Sequence, residues 1–241
     1  GVYSMVLPTA SIPLYFFRAV SVVLLPLGTE VREQQGEAKL VDGIRKLHGY
    51  LFVLLFPLAG MLFIYAKHAL TLLFGPAYAA GELPLQIIIA GVVFFGMAHV
   101  NISVLTAIGH SRYAGQSMLY GALVNTILNL FLIPTLGMTG AAIATMISYL
   151  SMYLISNKYF TCATSFTPAY ARTCYVTMCG IVFTLAGYGI QSLLTLPLFV
   201  EAAVVLVCSG ALYMSLIMIF KLITWSALKQ LIASIRREQT L

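Results

Sequence analysis

An arginine, a histidine and two asparagines lie within stretches that are otherwise almost wholly apolar: Arg18, His99, Asn125 and Asn129. Arg18 stands midway along the first stretch, in Tyr15-Phe16-Phe17-Arg18-Ala19-Val20. A guanidinium stays charged and presents planar donors that match phosphate or carboxylate. At mid-bilayer it costs about 3 kcal/mol or more, so it must meet protein, water or an anion, or snorkel to the boundary. The helix from Arg18 to Gly28 rises roughly 15 Å, a long way to snorkel, which favours a cation facing a cavity. His99 shares a helical face with Ser103 and Thr106; it is either hydrogen-bonded structure or a group that changes charge near neutral pH. Tyr113, Ser117, Asn125 and Asn129 recur with Gly121 at steps of four, hence on one slowly drifting helix face. Such a face either hydrogen-bonds to neighbouring helices or walls a hydrated cavity. Both readings stay open. No Asp or Glu lies deep in any apolar stretch, so a cavity holding Arg18 and His99 suits an anionic ligand better than a cationic one.

The elements that must carry these residues are membrane spans. Of 241 residues, 61% are hydrophobic and only 8% charged, against about 25% charged in soluble domains. Seven apolar stretches are long enough to cross a hydrocarbon core of about 30 Å: residues 3–28, 48–66, 84–107, 113–134, 137–157, 173–194 and 198–220. Their apolar runs are continuous rather than alternating, which predicts helices and not barrel strands. The fold class is therefore an all-α polytopic transmembrane bundle of about seven spans. Such a protein transports, forms a channel, does chemistry on lipids or organises other membrane proteins.

The net charge of +6 reflects topology, not nucleic acid. Alternate loops hold Arg32, Lys39, Arg45 and Lys46, then Arg112, then Lys158 and Arg172, then Lys221, Lys229, Arg236 and Arg237. The opposite loops hold only Lys67. This bias predicts a cytoplasmic C-terminus and an outside N-terminus in the plasma membrane. A chain opening Gly-Val-Tyr on the outside reads as the C-terminal part of a longer protein. In the first cytoplasmic loop, residues 29–47, Leu40, Val41, Ile44 and Leu47 have helical spacing; the stripe predicts a helix lying on the membrane or a solvated linker. An outer segment, 67–83, predicts a short helix broken by Gly75-Pro76. Short outer connections make the fourth and fifth spans, and the sixth and seventh, antiparallel hairpins. The tail 221–241 places Trp225, Leu228, Leu231, Ile232 and Ile235 on one face, an interfacial helix on anionic lipid. Cys162, Cys174, Cys179 and Cys208 have no zinc-ligand spacing with histidine and read as packing residues. There is no phosphate-binding glycine loop, hydrolytic triad or paired-carboxylate arrangement, so neither enzyme activity nor a cofactor or metal is expected.

One stretch reads Asn125-x-x-x-Asn129-x-x-x-Ile133-Pro134-x-x-Gly137-x-x-Gly140-Ala141-Ala142-Ile143-Ala144-Thr145. It resembles the C-terminal half of the polysaccharide biosynthesis flippases, the oligosaccharide-lipid transporters of the multidrug/oligosaccharidyl-lipid/polysaccharide exporter superfamily. Leu72-Leu73-Phe74-Gly75-Pro76-Ala77-Tyr78-x-x-Gly81 resembles that family's outer segment, in which Gly75 and Tyr78 match while Phe74 and Gly81 depart. Thr106-Ala107-Ile108-Gly109-His110-Ser111 resembles its cytoplasmic turn, with His110 at the basic position. The resemblance covers residues 11–157 and implies two lobes, of which this chain carries helices eight to fourteen. It divides the chain into a family-like bundle at 1–157, two additional spans at 158–220, and the tail. Pro134, Gly137, Gly140 and Ala144 then form a turn and a close-packed helix start.

The resemblance implies a flippase for a lipid-linked oligosaccharide, working by alternating access with the missing N-terminal lobe as its partner. Arg18 would meet the pyrophosphate, and Tyr113, Ser117, Asn125 and Asn129 the sugar hydroxyls. A lipid II flippase, a multidrug antiporter of the same superfamily and a non-transporting scaffold are the alternatives.

Overall fold

The computed structural model describes residues 2–164 and 170–220. The expected interfacial tail lies outside the described residues. Among those described, regular structure is helical: α1 (Val2–Ala10), α2 (Ile12–Gln35), α3 (Glu37–Ile64), α4 (Ala66–Phe74), a 3-10 turn (Pro76–Gly81), α5 (Glu82–Ala107), α6 (Ser111–Ala163), α7 (Tyr170–Leu193) and α8 (Leu198–Ile219). Five segments have the length and apolarity of a membrane crossing: Ala38–Ile64, Pro76–Ala107, Ser111–Ala163, Ala171–Leu193 and Leu198–Ile219. The 53 residues of α6 are two crossings folded at Gly137, whose φ of 56° and ψ of −129° leave the helical region. A side chain does not tolerate that conformation, so glycine sets the reversal. The first arm runs on past Pro134, and the break falls three residues later than the proline that the sequence suggests as its end.

α5 is the central post. Leu85, Ile88, Ile89, Val92, Met97 and Val100 are all buried, and α1, α2, α3 and α6 pack against it. Apolar side chains all round this helix are what a fully enclosed helix requires. Phe17 of α2 packs where a side chain at Gly96 would have to lie, so the bare backbone at Gly96 lets the two helices close.

Two expectations are corrected. The span expected over residues 3–28 is two helices, broken at Ser11. Pro13 lacks the N–H that would continue the helical ladder to Thr9; the ladder still reaches Ser11, whose N donates to Leu7 O at 3.1 Å, and resumes with Leu14 N on Ser11 O, three residues back, at 2.8 Å. The second correction concerns the apolar stripe of the 29–47 segment, which faces neither lipid nor solvent. α2 runs to Gln35, Gly36 turns the chain with φ 84°, and α3 begins at Glu37. Leu40, Val41 and Ile44 are buried against Val104, Leu105, Ile108 and Phe160. The apolar stripe finds its partner in the ends of α5 and α6 rather than in lipid.

The outer segment forms α4 and the 3-10 turn, hinged at Gly75 with φ 97°. α7 and α8 pack together and onto α3. Two hydrogen bonds fasten α8: the Tyr213 hydroxyl donates to Val53 O at 2.9 Å in the core, and the Tyr65 hydroxyl donates to Glu201 Oε1 at 3.2 Å.

Candidate functional site

Folding α6 at Gly137 brings Asn125 on its first arm opposite Thr145 and Ser148 on its second. Asn125 Nδ2 donates to Thr145 Oγ1 at 3.4 Å and to Ser148 Oγ at 3.5 Å. Asn129 Nδ2 donates to Asn125 Oδ1 at 2.9 Å, as residues four apart on a helix can. The Tyr3 hydroxyl of α1 lies 3.5 Å from Thr145 Oγ1. Thr145 and Ser148 also donate to their own helix, to Ala141 O at 2.9 Å and Thr145 O at 2.8 Å. The bonds across the hairpin are long, and Asn129 Oδ1 is buried with no partner. The amide chain therefore has acceptor capacity to spare.

Asn125, Thr145 and Ser148 line a cavity of about 350 Å³ between α1, α5 and both arms of α6, together with Leu7, Phe95 and Tyr149, and Asn129 backs Asn125 from outside that lining. The cavity's size is that of a small-ligand site. One rim is aromatic. Phe95 stacks on Tyr149 with centroids 4.3 Å apart, and His99 meets the other end of Phe95 edge-on at 6.2 Å. Arg18 is close enough to His99 to act on it electrostatically, and its guanidinium carbon stands 5.8 Å from the Tyr15 ring centroid. Arg18 is exposed; this chain alone does not enclose it. Asn125 and Asn129 thus share the amide chain, while His99 and Arg18 sit beyond the aromatic rim.

The rest of the expected face divides. Ser117 is buried, and its hydroxyl donates to Tyr113 O at 2.9 Å. Tyr113 stacks between His110, 5.7 Å away, and Tyr159, 4.8 Å away, at the far end of the hairpin. Gly75 and Tyr78 belong to the hinge of the outer segment, where Tyr78 N donates to Gly75 O at 3.1 Å. Gly140 and Ala144 are buried in the hairpin contact. No group of three or more metal-ligating side chains occurs among the described residues.

Ser148, at helical spacing from Gly140 and Ala144, has the look of a packing residue in the sequence, and Tyr3 carries no signal there. A second polar cluster is likewise faint in the sequence. Asn101 Nδ2 donates to Ser156 Oγ at 3.1 Å and to Asn157 Oδ1 at 2.8 Å; all three residues are fully buried, and buried His48 adjoins them. The available signal was Asn101 itself, an amide inside an apolar span just as Asn125 is.

An open cleft with a few polar side chains, set among helices of membrane-crossing length and apolarity, defines the class: an integral membrane protein with a ligand-sized opening among its helices. The relatives fit that class. The chain is 21% identical over 233 residues, 96% of its length, to the probable low-salt glycan biosynthesis flippase Agl15 of Haloferax volcanii, and covers 49% of that protein. It is 30% identical over 148 residues, 61% of its length, to the uncharacterized membrane protein MJ1068 of Methanocaldococcus jannaschii, covering 29% of it. A second uncharacterized membrane protein of that organism, MJ1375, is 30% identical over 140 residues, with 58% of this chain and 32% of the relative covered. The chain thus spans half the length or less of the curated relatives it matches. No family model matches it, and neither does any solved structure.

Proposed function

We propose that this chain is the C-terminal lobe of a polysaccharide-type flippase that moves a lipid-linked oligosaccharide across the plasma membrane by alternating access. The observation that carries the reading is the amide and hydroxyl cleft of Asn125, Thr145 and Ser148, with Asn129 bonded behind Asn125, set inside helices otherwise suited to hydrocarbon. A sugar head crossing a bilayer must exchange its hydration shell for fixed hydrogen-bonding groups, and a cleft of this composition offers them. Arg18, exposed on α2 beside His99, supplies the cation for a pyrophosphate once the other lobe faces it. The distant likeness to a probable glycan biosynthesis flippase over nearly the whole chain supports the same reading. The cation bias favours a cytoplasmic C-terminus, and α7 and α8 serve as an appended helix pair outside the transport lobe. The protein works as a transporter, not an enzyme, with the N-terminal lobe as its partner.

The test uses the intact protein in its host. Arg18→Gln and Asn125→Leu are each expected to lower surface glycan while leaving protein abundance in the membrane unchanged. Undiminished glycan in both variants would remove the cleft and its cation from transport. A lipid II flippase would instead show the loss in cell-wall precursor at the outer face.

A further inference from the structure

A second opening lies on the other side of the α5–α6 contact. It is a crevice of about 400 Å³ between the α6 hairpin and α7, floored by α5 and α3. Ile89, Val93 and Phe94 form its floor, Met146 and Leu150 one wall, and Ile181 part of the other. Both hydroxyls that face it are engaged along their own helix: Thr177 Oγ1 donates to Thr173 O at 2.8 Å, and Thr184 Oγ1 to Gly180 O at 2.9 Å. The lining therefore asks for no polar partner. Apart from Phe63, next to the end of α3, the lining residues sit well inside membrane-crossing helices, at a depth where only hydrocarbon or another protein segment is present.

Size decides between those two. A transmembrane helix of about 20 residues, 30 Å long and 10 Å across, displaces roughly 2,400 Å³. The crevice holds about 400 Å³, which encloses only a small part of a helix laid along it but is of the order of a single hydrocarbon chain. Position decides whose chain it is. The polar cleft uses Phe95, Ser148 and Met152, whereas the crevice uses Phe94, Met146 and Leu150. The two openings thus lie on different faces of the same helices, and a substrate with its head in the cleft would have to pass its tail round α6 to reach the crevice.

We propose that this crevice is a binding site for one hydrocarbon chain of a resident membrane lipid, which fills the seam between the α6 hairpin and the α7–α8 pair. The lipid completes packing that the protein leaves open: α6 leans chiefly on α5, and α7 on α3 and α8. This site stands whether or not the protein is a flippase.

The test is native mass spectrometry of the intact protein, extracted in mild detergent from its host membrane and from nanodiscs of a single defined phospholipid. The expected result is one retained lipid per protein, and loss of that adduct in Ala90→Phe and in Ile181→Phe, which fill the crevice from its floor and its wall. Leu119→Phe, on the exposed side of the first α6 arm, is expected to keep the adduct. Delipidation should lower the melting temperature of the parent protein and leave that of Ala90→Phe nearly unchanged, which separates a filled site from a misfolded variant. Three results would overturn the proposal: no retained lipid in the parent, equal retention in all variants, or a retained species whose mass is that of a polyprenyl diphosphate. The last would make the crevice a substrate-tail site. Loss of glycan export in the Arg18 and Asn125 variants bears on transport alone and is read independently.

Discussion

The carboxamide of Asn125 and the hydroxyl of Thr145 face each other across the α6 hairpin at 3.4 Å, although twenty residues separate them in the chain. The contact is long, and both groups have other partners. It therefore holds the arms together weakly and leaves the groups available for exchange. Asn125→Ala is expected to cost about 1–2 kcal/mol, because Asn129 loses its acceptor and the hairpin its cross-bonds. In a double-mutant cycle with Thr145→Val, the coupling should be near 0.5 kcal/mol, read by denaturant unfolding in detergent micelles. A coupling above about 2 kcal/mol would mean a rigid fastening and not a binding wall.

Gly137 turns the hairpin with a backbone conformation closed to L side chains, and Gly140 admits the Leu132 carbonyl where a Cβ would collide with it. Gly137→Ala should destabilise the protein by about 1–3 kcal/mol through backbone strain. Gly140→Ala should cost as much or more, since the obstacle is main chain and cannot rotate away. Thermal unfolding followed by circular dichroism measures both. If Gly140→Ala melts like the parent, the two arms are farther apart there than the structure has them.

The crossings were legible in sequence because a continuous apolar run has one outcome in hydrocarbon, and the reversal at Gly137 was legible because few residues permit it. Other features depended on contacts that no local pattern encodes. The stripe Leu40, Val41 and Ile44 has the same spacing whether it covers lipid or the feet of α5 and α6. The broken first span hinged on Pro13, whose effect on the ladder at Thr9 hydropathy does not weigh. Of the cleft, Asn125 and Asn129 stood out as amides among Leu, Ile and Phe. Ser148 did not, because a serine on a helix with Gly140 and Ala144 looks like a spacer until the opposite arm is in place. The exposure of Arg18 was likewise unreadable, since burial depends on what lies across from it.

Phe17 and Gly96 set the position of α2, and with it Arg18. Gly96→Ala puts a methyl into the Phe17 ring and should cost about 1–3 kcal/mol by overpacking. Combining it with Phe17→Leu, which vacates that space, should restore part of the loss. Unfolding of the two single variants and the double variant decides this, and simple additivity would show that the added methyl does not meet the Phe17 ring. Because Arg18 follows Phe17 directly, the proposed glycan export by the intact Gly96→Ala protein should fall further than its abundance does.

Asn101 tests whether the buried cluster holds the bundle together or merely fills it. Its Nδ2 group serves both Ser156 and Asn157, while Asn157 Nδ2 is buried without a partner. Unmatched buried polar atoms are costly, and removing one member of a bonded pair costs more than removing both. Asn101→Leu should therefore destabilise the protein by about 1–3 kcal/mol, because Asn157 loses its donor while keeping its own unmet amide. Adding Asn157→Leu should recover part of that loss, since the pair is then apolar on both sides, at the depth where α5 and the second arm of α6 touch. Denaturant unfolding of the three variants in one detergent gives the comparison. A double variant less stable than either single would show that the two amides are tied to a third group, and buried His48 beside Asn101 is the residue to substitute next.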